Sequence, residues 1–188
     1  MKRAILVNGV PASGKTTFAD RLTRFLIAEG VAAVPLGLDI VKEALFAHLG
    51  AGNRDHNRML GRASYQAIFD TVVRFDDRLV PVIDAWHGFQ PENVVREHVA
   101  RAGINEVIEI WCAVAPEIAA ARYRARGPER HPGHPPESYA EELRELATRA
   151  VPLSFGTVVR VDCETGIPHA TLVAIRDLLR AERATPSE

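Results

Sequence analysis

Cysteine is scarce. Cys112 and Cys163 are the only two in 188 residues, far apart along the chain and in no CxxC pair. That excludes a disulfide-stapled scaffold and a cysteine-based structural zinc site, and it suits a reducing compartment. No run approaches the roughly 18 consecutive apolar residues that a membrane span needs. The opening MKRAILVNGV begins basic and apolar like a leader. Its apolar run is short, however, and passes directly into a glycine-bearing loop, so it reads as a strand. Neither sign of charge dominates, with 23 Lys and Arg against 24 Asp and Glu, a net charge of −1. A long nucleic-acid track or an anionic membrane surface is therefore not the expected partner, and any anion chemistry must come from a local cluster. Aromatic residues make up only 6% of the chain, and no repeat or low-complexity tract interrupts it.

What is present is ordinary globular material. Hydrophobic residues are 47% and charged residues 25%, enough for one domain with a sizeable core. Ala4–Val7 is a short apolar run suited to a strand buried on both faces. Positions 16–29 carry Phe18, Leu22, Phe25 and Leu26 at helical spacing, and Gly30 stops them. Strands are expected over 31–38, where Pro35 points to an edge, and over 79–83, 107–114 and 157–161. Helices are expected over 39–49, 58–77, 92–102, 116–126, 137–150 and 171–182. Positions 50–57 and 127–136 read as loops, and the tail 185–188 as frayed. The alternation of strand and helix implies a parallel sheet with helices on both faces and right-handed crossovers. Ligands of such sheets bind beyond the carboxyl ends of the strands.

The most specific signal follows the first strand. Gly9-Val10-Pro11-Ala12-Ser13-Gly14-Lys15-Thr16 fits GxxxxGK[ST]. Gly9 allows a sharp turn off the strand. The loop through Ala12 and Ser13 then points successive N–H groups inward at phosphate oxygens, and Gly14 permits close approach. Lys15 reaches the β- and γ-phosphates, Thr16 offers a hydroxyl to Mg²⁺, and Thr17 adds one more hydroxyl. The helix behind directs its positive end at the same anion. With an apolar strand leading in and an amphipathic helix leading out, the pattern predicts a nucleoside triphosphate site.

NGVPASGKTT, the GLD at Asp39 and the arginine-laden RYRARGPERHPGH together resemble the small P-loop kinases. Within these the chain is similar to the predicted-kinase group related to chloramphenicol phosphotransferase and the zeta-toxin kinases. A guanine-specifying NKxD is absent, which argues against a GTPase. The resemblance implies a P-loop NTPase three-layer α/β/α sandwich, with a five-stranded parallel sheet in the order 2-3-1-4-5. It also implies a single domain with a mobile lid over about 123–138, ATP as donor and a small hydroxyl-bearing acceptor. In the similar kinases, an aspartate in the position of Asp39 takes or orients the proton of the acceptor hydroxyl. A helix N-cap is the structural alternative for Asp39. Lys42, three residues on, reads as solvated, with substrate contact as the alternative.

Asp84 ends the third strand, where a carboxylate orders Mg²⁺ directly or through water. Trp86 and His87 follow at the same sheet edge, suited to a sugar-like or aromatic substrate, or else to core and loop packing. Arg122 and Arg126 lie four apart on one helical face, and Arg130 lies beyond them. Guanidiniums closing over the transferring phosphoryl group are worth about 10³–10⁵ in rate, and a lid delivers them while excluding water. Gly127 and Gly133 are the expected hinges. His131 and His134 resemble a lid feature of the predicted-kinase group but make a poor metal signature. In related kinases the loop at 162–166 contacts adenine through its backbone, which leaves Cys163 inert.

These features predict a cytoplasmic ATP-dependent kinase for a small molecule, using Mg²⁺ and working as a monomer or homodimer. An ATP-driven switch or assembly factor and a polynucleotide 5′-kinase are the alternatives. The near-neutral charge and the lack of a basic-aromatic stripe disfavour the last.

Overall fold

The computed structural model describes residues 1–181; the expected frayed tail and the end of the last helix lie outside them. Five strands form one parallel sheet in the order β2-β3-β1-β4-β5. They are β1 (Lys2–Asn8), β2 (Ala33–Gly37), β3 (Val80–Asp84), β4 (Ile104–Ala113) and β5 (Thr157–Asp162). The first strand occupies the centre because its whole length is buried. Pro35 sits in β2, an edge strand, where its missing N–H costs no ladder bond.

The helices are α1 (Lys15–Ala28), α2 (Leu38–Leu49), α3 (Arg54–Val73), α4 (Glu92–Arg101), α5 (Pro116–Ala125), α6 (Tyr139–Arg149) and α7 (His169–Ala181). Alternation along the strands sorts the core into two faces. Ile5, Val7, Val82, Ile108 and Ile110 meet Phe18, Leu22 and Leu26 of α1 and Ile175 of α7. Ala4, Leu6, Ile83 and Val107 meet Tyr65, Ile68 and Phe69 of α3 and Val95 of α4. A third cluster joins Val10 and Ala12 of the glycine loop to Ala119, Ala120 and Tyr123 of α5 and Leu143 of α6. This is the three-layer α/β/α sandwich of the P-loop NTPases. Among the described residues, no helix is long and apolar enough to cross a membrane.

Two local expectations need correction. The helix expected from residue 58 starts at Arg54, because the Asn53 side chain accepts the His56 N–H at 2.9 Å and caps it. The glycines at 50 and 52 had suggested loop through residue 57. The other correction is at α2, which begins at Leu38 with Gly37 as its N-cap and no side-chain cap bond. Asp39 therefore lies inside the first turn and does not cap it.

Candidate active site

The loop between β1 and α1 turns on backbone conformations that side chains disfavour. Ala12 has φ 65° and Gly14 φ 94°, both left-handed, which curls the chain and aims its amides at one point. Gly14 is also the N-cap of α1 and offers no side chain to the first N–H groups, so these stay free for an anion. Close packing forces the glycines as well. A Cβ on Gly9 would stand 2.6 Å from Ser13 Oγ and 2.9 Å from the Cys112 carbonyl oxygen. One on Gly14 would stand 3.2 Å from Cys163 Cβ. The two cysteines, remote in sequence, thus flank the loop together, and both are free thiols. Ser13 is fully buried, and its Oγ finds no hydrogen-bond partner.

A buried polar network holds the loop from beneath. Asn8 Oδ1 accepts from Gly9 N at 2.8 Å and from His87 N at 3.1 Å. Asn8 Nδ2 donates to Glu109 Oε1 at 2.7 Å. Glu109, fully buried in β4, also accepts from Leu153 N at 2.9 Å and Ser154 N at 2.8 Å. This carboxylate therefore ties the base of the loop to the segment between α6 and β5. No sequence argument singled it out. The available signal was a lone acid between Ile108 and Ile110 on a strand buried on both faces.

Lys15 is half-buried, and Thr16 and Thr17 are exposed at the start of α1. Asp84 ends β3 beside them. Burial pushes its carboxyl above the ordinary range, while Lys15 and a hydrogen bond from Thr16 pull the other way. Asp84 Oδ1 is buried without a hydrogen-bond partner. An orphaned carboxylate oxygen next to a hydroxyl fits a Mg²⁺ site of the kind that uses few protein ligands, the rest being phosphate oxygens and water. No cluster of three or more His, Cys, Asp or Glu groups stands among the described residues. Asp39 is exposed in the first turn of α2 and lies within electrostatic reach of Asp84.

Trp86 is half-buried against Val10, Ala12 and α5. His87 is completely buried, so it cannot meet a ligand directly in this conformation. Its Nδ1 shares a 2.7 Å hydrogen bond with Tyr65 Oη, and Nε2 has no partner. Burial drives its pKa down to about 3, with Lys15 adding to the effect and the Ile83 carbonyl opposing it. His87 is thus a neutral imidazole under the loop.

The arginines separate. Arg122 donates to the Cys163 carbonyl at 3.3 Å, on the side of the loop after β5. That loop turns on Asp162, which accepts from Glu164 N at 2.7 Å. Arg126 ends α5, exposed. Arg124 pairs with Glu141. Arg130 lies across the Tyr123 ring, 3.7 Å from its centroid, and its Nη1 is buried without a partner. With Tyr123, Gly127, His131 and His134 it lines a cavity of about 280 Å³.

The expected lid segment docks on α2 and α3. His131 stacks on Phe46 at 5.1 Å, His134 Nε2 meets Glu43 at 2.8 Å, and Asn57 Nδ2 donates to the Gly133 carbonyl at 3.0 Å. A Cβ on Gly133 would fall 2.3 Å from Phe46. Gly133 is therefore a close-approach glycine against α2.

A family model described as an AAA domain matches residues 5–152. A candidate kinase from Chloroflexus aurantiacus superposes with a TM-score of 0.75 at 23% identity, covering 96% of this chain and 97% of its own. Shikimate kinase from Acinetobacter baumannii, in complex with shikimate, superposes with a TM-score of 0.62 at 14% identity, covering 98% and 96%. At such identities the likeness is one of fold. No curated protein matches the chain.

Proposed function

We propose that this chain, which belongs to the AAA domain family, is an ATP-dependent kinase that phosphorylates a hydroxyl of a small molecule. One observation supports the proposal: behind a glycine loop with free helix-end amides, Lys15, Thr16 and Asp39 all act on the Asp84 carboxylate. The finer affinity with the chloramphenicol phosphotransferase and zeta-toxin group rests on the motifs at 8–17, 37–39 and 122–134.

Each residue then has a task. The loop amides from Ala12 to Lys15 bind the β-phosphate region, and Lys15 neutralises oxygens between the β- and γ-phosphates. Thr16 and Asp84 would hold Mg²⁺, which when bound shields the negative charge of the triphosphate. Asp39 accepts the proton of the acceptor hydroxyl as that oxygen bonds to the γ-phosphorus. The bond from phosphorus to the bridging oxygen breaks, its electron pair leaves on ADP, and Asp39 returns the proton to water. Arg122 and Arg126 close from α5 on charge that builds on the moving phosphoryl group. Trp86 walls the crevice, and His87 holds that wall from beneath.

The test is a panel of hydroxyl-bearing metabolites, assayed for ADP release and for the mass gain of one phosphate. Wild type should yield one product class. Asp39→Asn should lower kcat by about 10²–10⁴ with nucleotide affinity unchanged. ATP consumption without any phosphorylated product would point to a switch instead, and salt-sensitive phosphorylation of oligonucleotide ends to a polynucleotide kinase.

A further inference from the structure

Two cations, Lys42 and Arg130, lie over aromatic rings beside the lid and form no ion pair among the described residues. Lys42 lies one helical turn after Asp39 on α2, half-buried, its stem against Gly61 of α3. Its Nζ sits 5.3 Å from the Phe46 ring centroid and completes no hydrogen bond or ion pair among the described residues. Arg130 reaches the same region from the lid, because His131 and Gly133 are clamped on Phe46 and Asn57. Its guanidinium covers Tyr123, and one nitrogen is buried and unsatisfied. Burial lowers the Lys42 pKa; Asp39 and Glu43 oppose that, and the charge of Arg130 adds to it.

Of the described carboxylates, Asp39 and Glu43 act on Lys42, and neither forms an ion pair with it or with Arg130. Glu43 is engaged by His134. Glu142 is engaged by Arg54. Glu137 lies on the exposed rim of the lid cavity. Arg58 adds a further cation near Tyr139. Asp39 also acts on Lys42, from one turn earlier in α2, and the reaction needs it free. Two crowded, desolvated cations are costly unless an anion arrives to pair with them.

We propose that Lys42 and Arg130 form an anion subsite, and that the acceptor carries a carboxylate or phosphate beside the hydroxyl that Asp39 activates. This rests on the kinase reading above and narrows its substrate class. The planar fork of Arg130 grips two oxygens, and the ammonium of Lys42 supplies a third contact from the opposite wall. Because Arg130 belongs to the lid, an anionic acceptor also tethers the lid over the nucleotide. A neutral acceptor leaves both cations unpaired and is selected against.

The experiment uses a matched series on one carbon frame: glycerol, glycerate and glycerol 3-phosphate. Each is titrated into full-length protein saturated with Mg²⁺ and a non-hydrolysable ATP analogue, so the γ-phosphate position is filled. Either anion should bind at least tenfold more tightly than glycerol. Glycerate and glycerol 3-phosphate distinguish the carboxylate from the phosphate as the recognised group. Lys42→Gln and Arg130→Gln should each weaken the preferred anion about 10- to 100-fold. Lys42→Arg should restore part of that loss, and Lys42→Gln should leave analogue affinity within about twofold. Equal binding of all three probes, or anion binding untouched by both variants, overturns the inference and leaves the kinase reading standing. Failure of the wild type to bind the analogue overturns both.

Discussion

His87 offers a quantitative check on how the site is built. Its imidazole is fully buried, and its pKa is held near 3 against an ordinary 6.5. Above pH 6.5 the ring is neutral in folded and unfolded chains alike, so it makes stability independent of pH. Below 6.5 the unfolded chain takes up a proton that the folded one refuses. Stability therefore falls as the pH drops from 6.5 towards 3. At pH 5 the loss from this one group is about 2 kcal/mol, at about 1.36 kcal/mol for each pH step below its ordinary value. That is a sizeable fraction of the roughly 5–15 kcal/mol that holds a domain together. The assay is urea unfolding of wild type and His87→Gln at pH 7.5 and pH 5.0. The glutamine keeps a partner for Tyr65 but cannot titrate. Wild type should lose about 2 kcal/mol more than the variant over this interval. His98, whose pKa burial also lowers, titrates in both proteins and cancels in the comparison. Parallel losses, or an NMR titration placing the His87 ring near pH 6.5, would refute a dry imidazole beneath the loop.

Other perturbations report on the cradle itself. Gly14→Ala forces a side chain onto φ 94° and against Cys163. It should cost about 1–2 kcal/mol in thermal unfolding and weaken nucleotide binding about tenfold or more by calorimetry. Glu109→Gln places an amide where three N–H donors converge. Urea melts should show a loss of about 1–3 kcal/mol, and unchanged stability would mean that the network does not hold the loop.

The glycine loop was legible because each of its tasks is local: a turn, a row of amides, a lysine and a hydroxyl within eight residues. The position of Asp84 was legible because an apolar run closed by a carboxylate marks the end of a strand. The edge position of β2 could be read from Pro35. The strand order followed from the family resemblance, but the register of the strands was not legible. Leu6 pairs with Glu109 and Asn8 with Trp111, so the Asn8–Glu109 bond becomes visible only once the strand register is fixed. The same holds for Tyr65 and His87, for the two cysteines beside the glycines, and for Phe46 under His131. Lys42 read as solvated because its wall is built from α3 and the lid, both remote in sequence. The start of α3 could have been found, since Asn53 followed by Asp55 in the first turn is a cap signal. Glycines at 50 and 52 outweighed it.

The central claim is that the loop from Gly9 to Thr16 holds a triphosphate through its amides and Lys15. Isothermal titration of purified protein with ATP and Mg²⁺ tests it most directly, with Lys15→Ala measured alongside. One site per chain should be filled in the wild type, and the variant should lose at least tenfold in affinity. No uptake by the wild type, or equal affinity in the two proteins, would contradict the account.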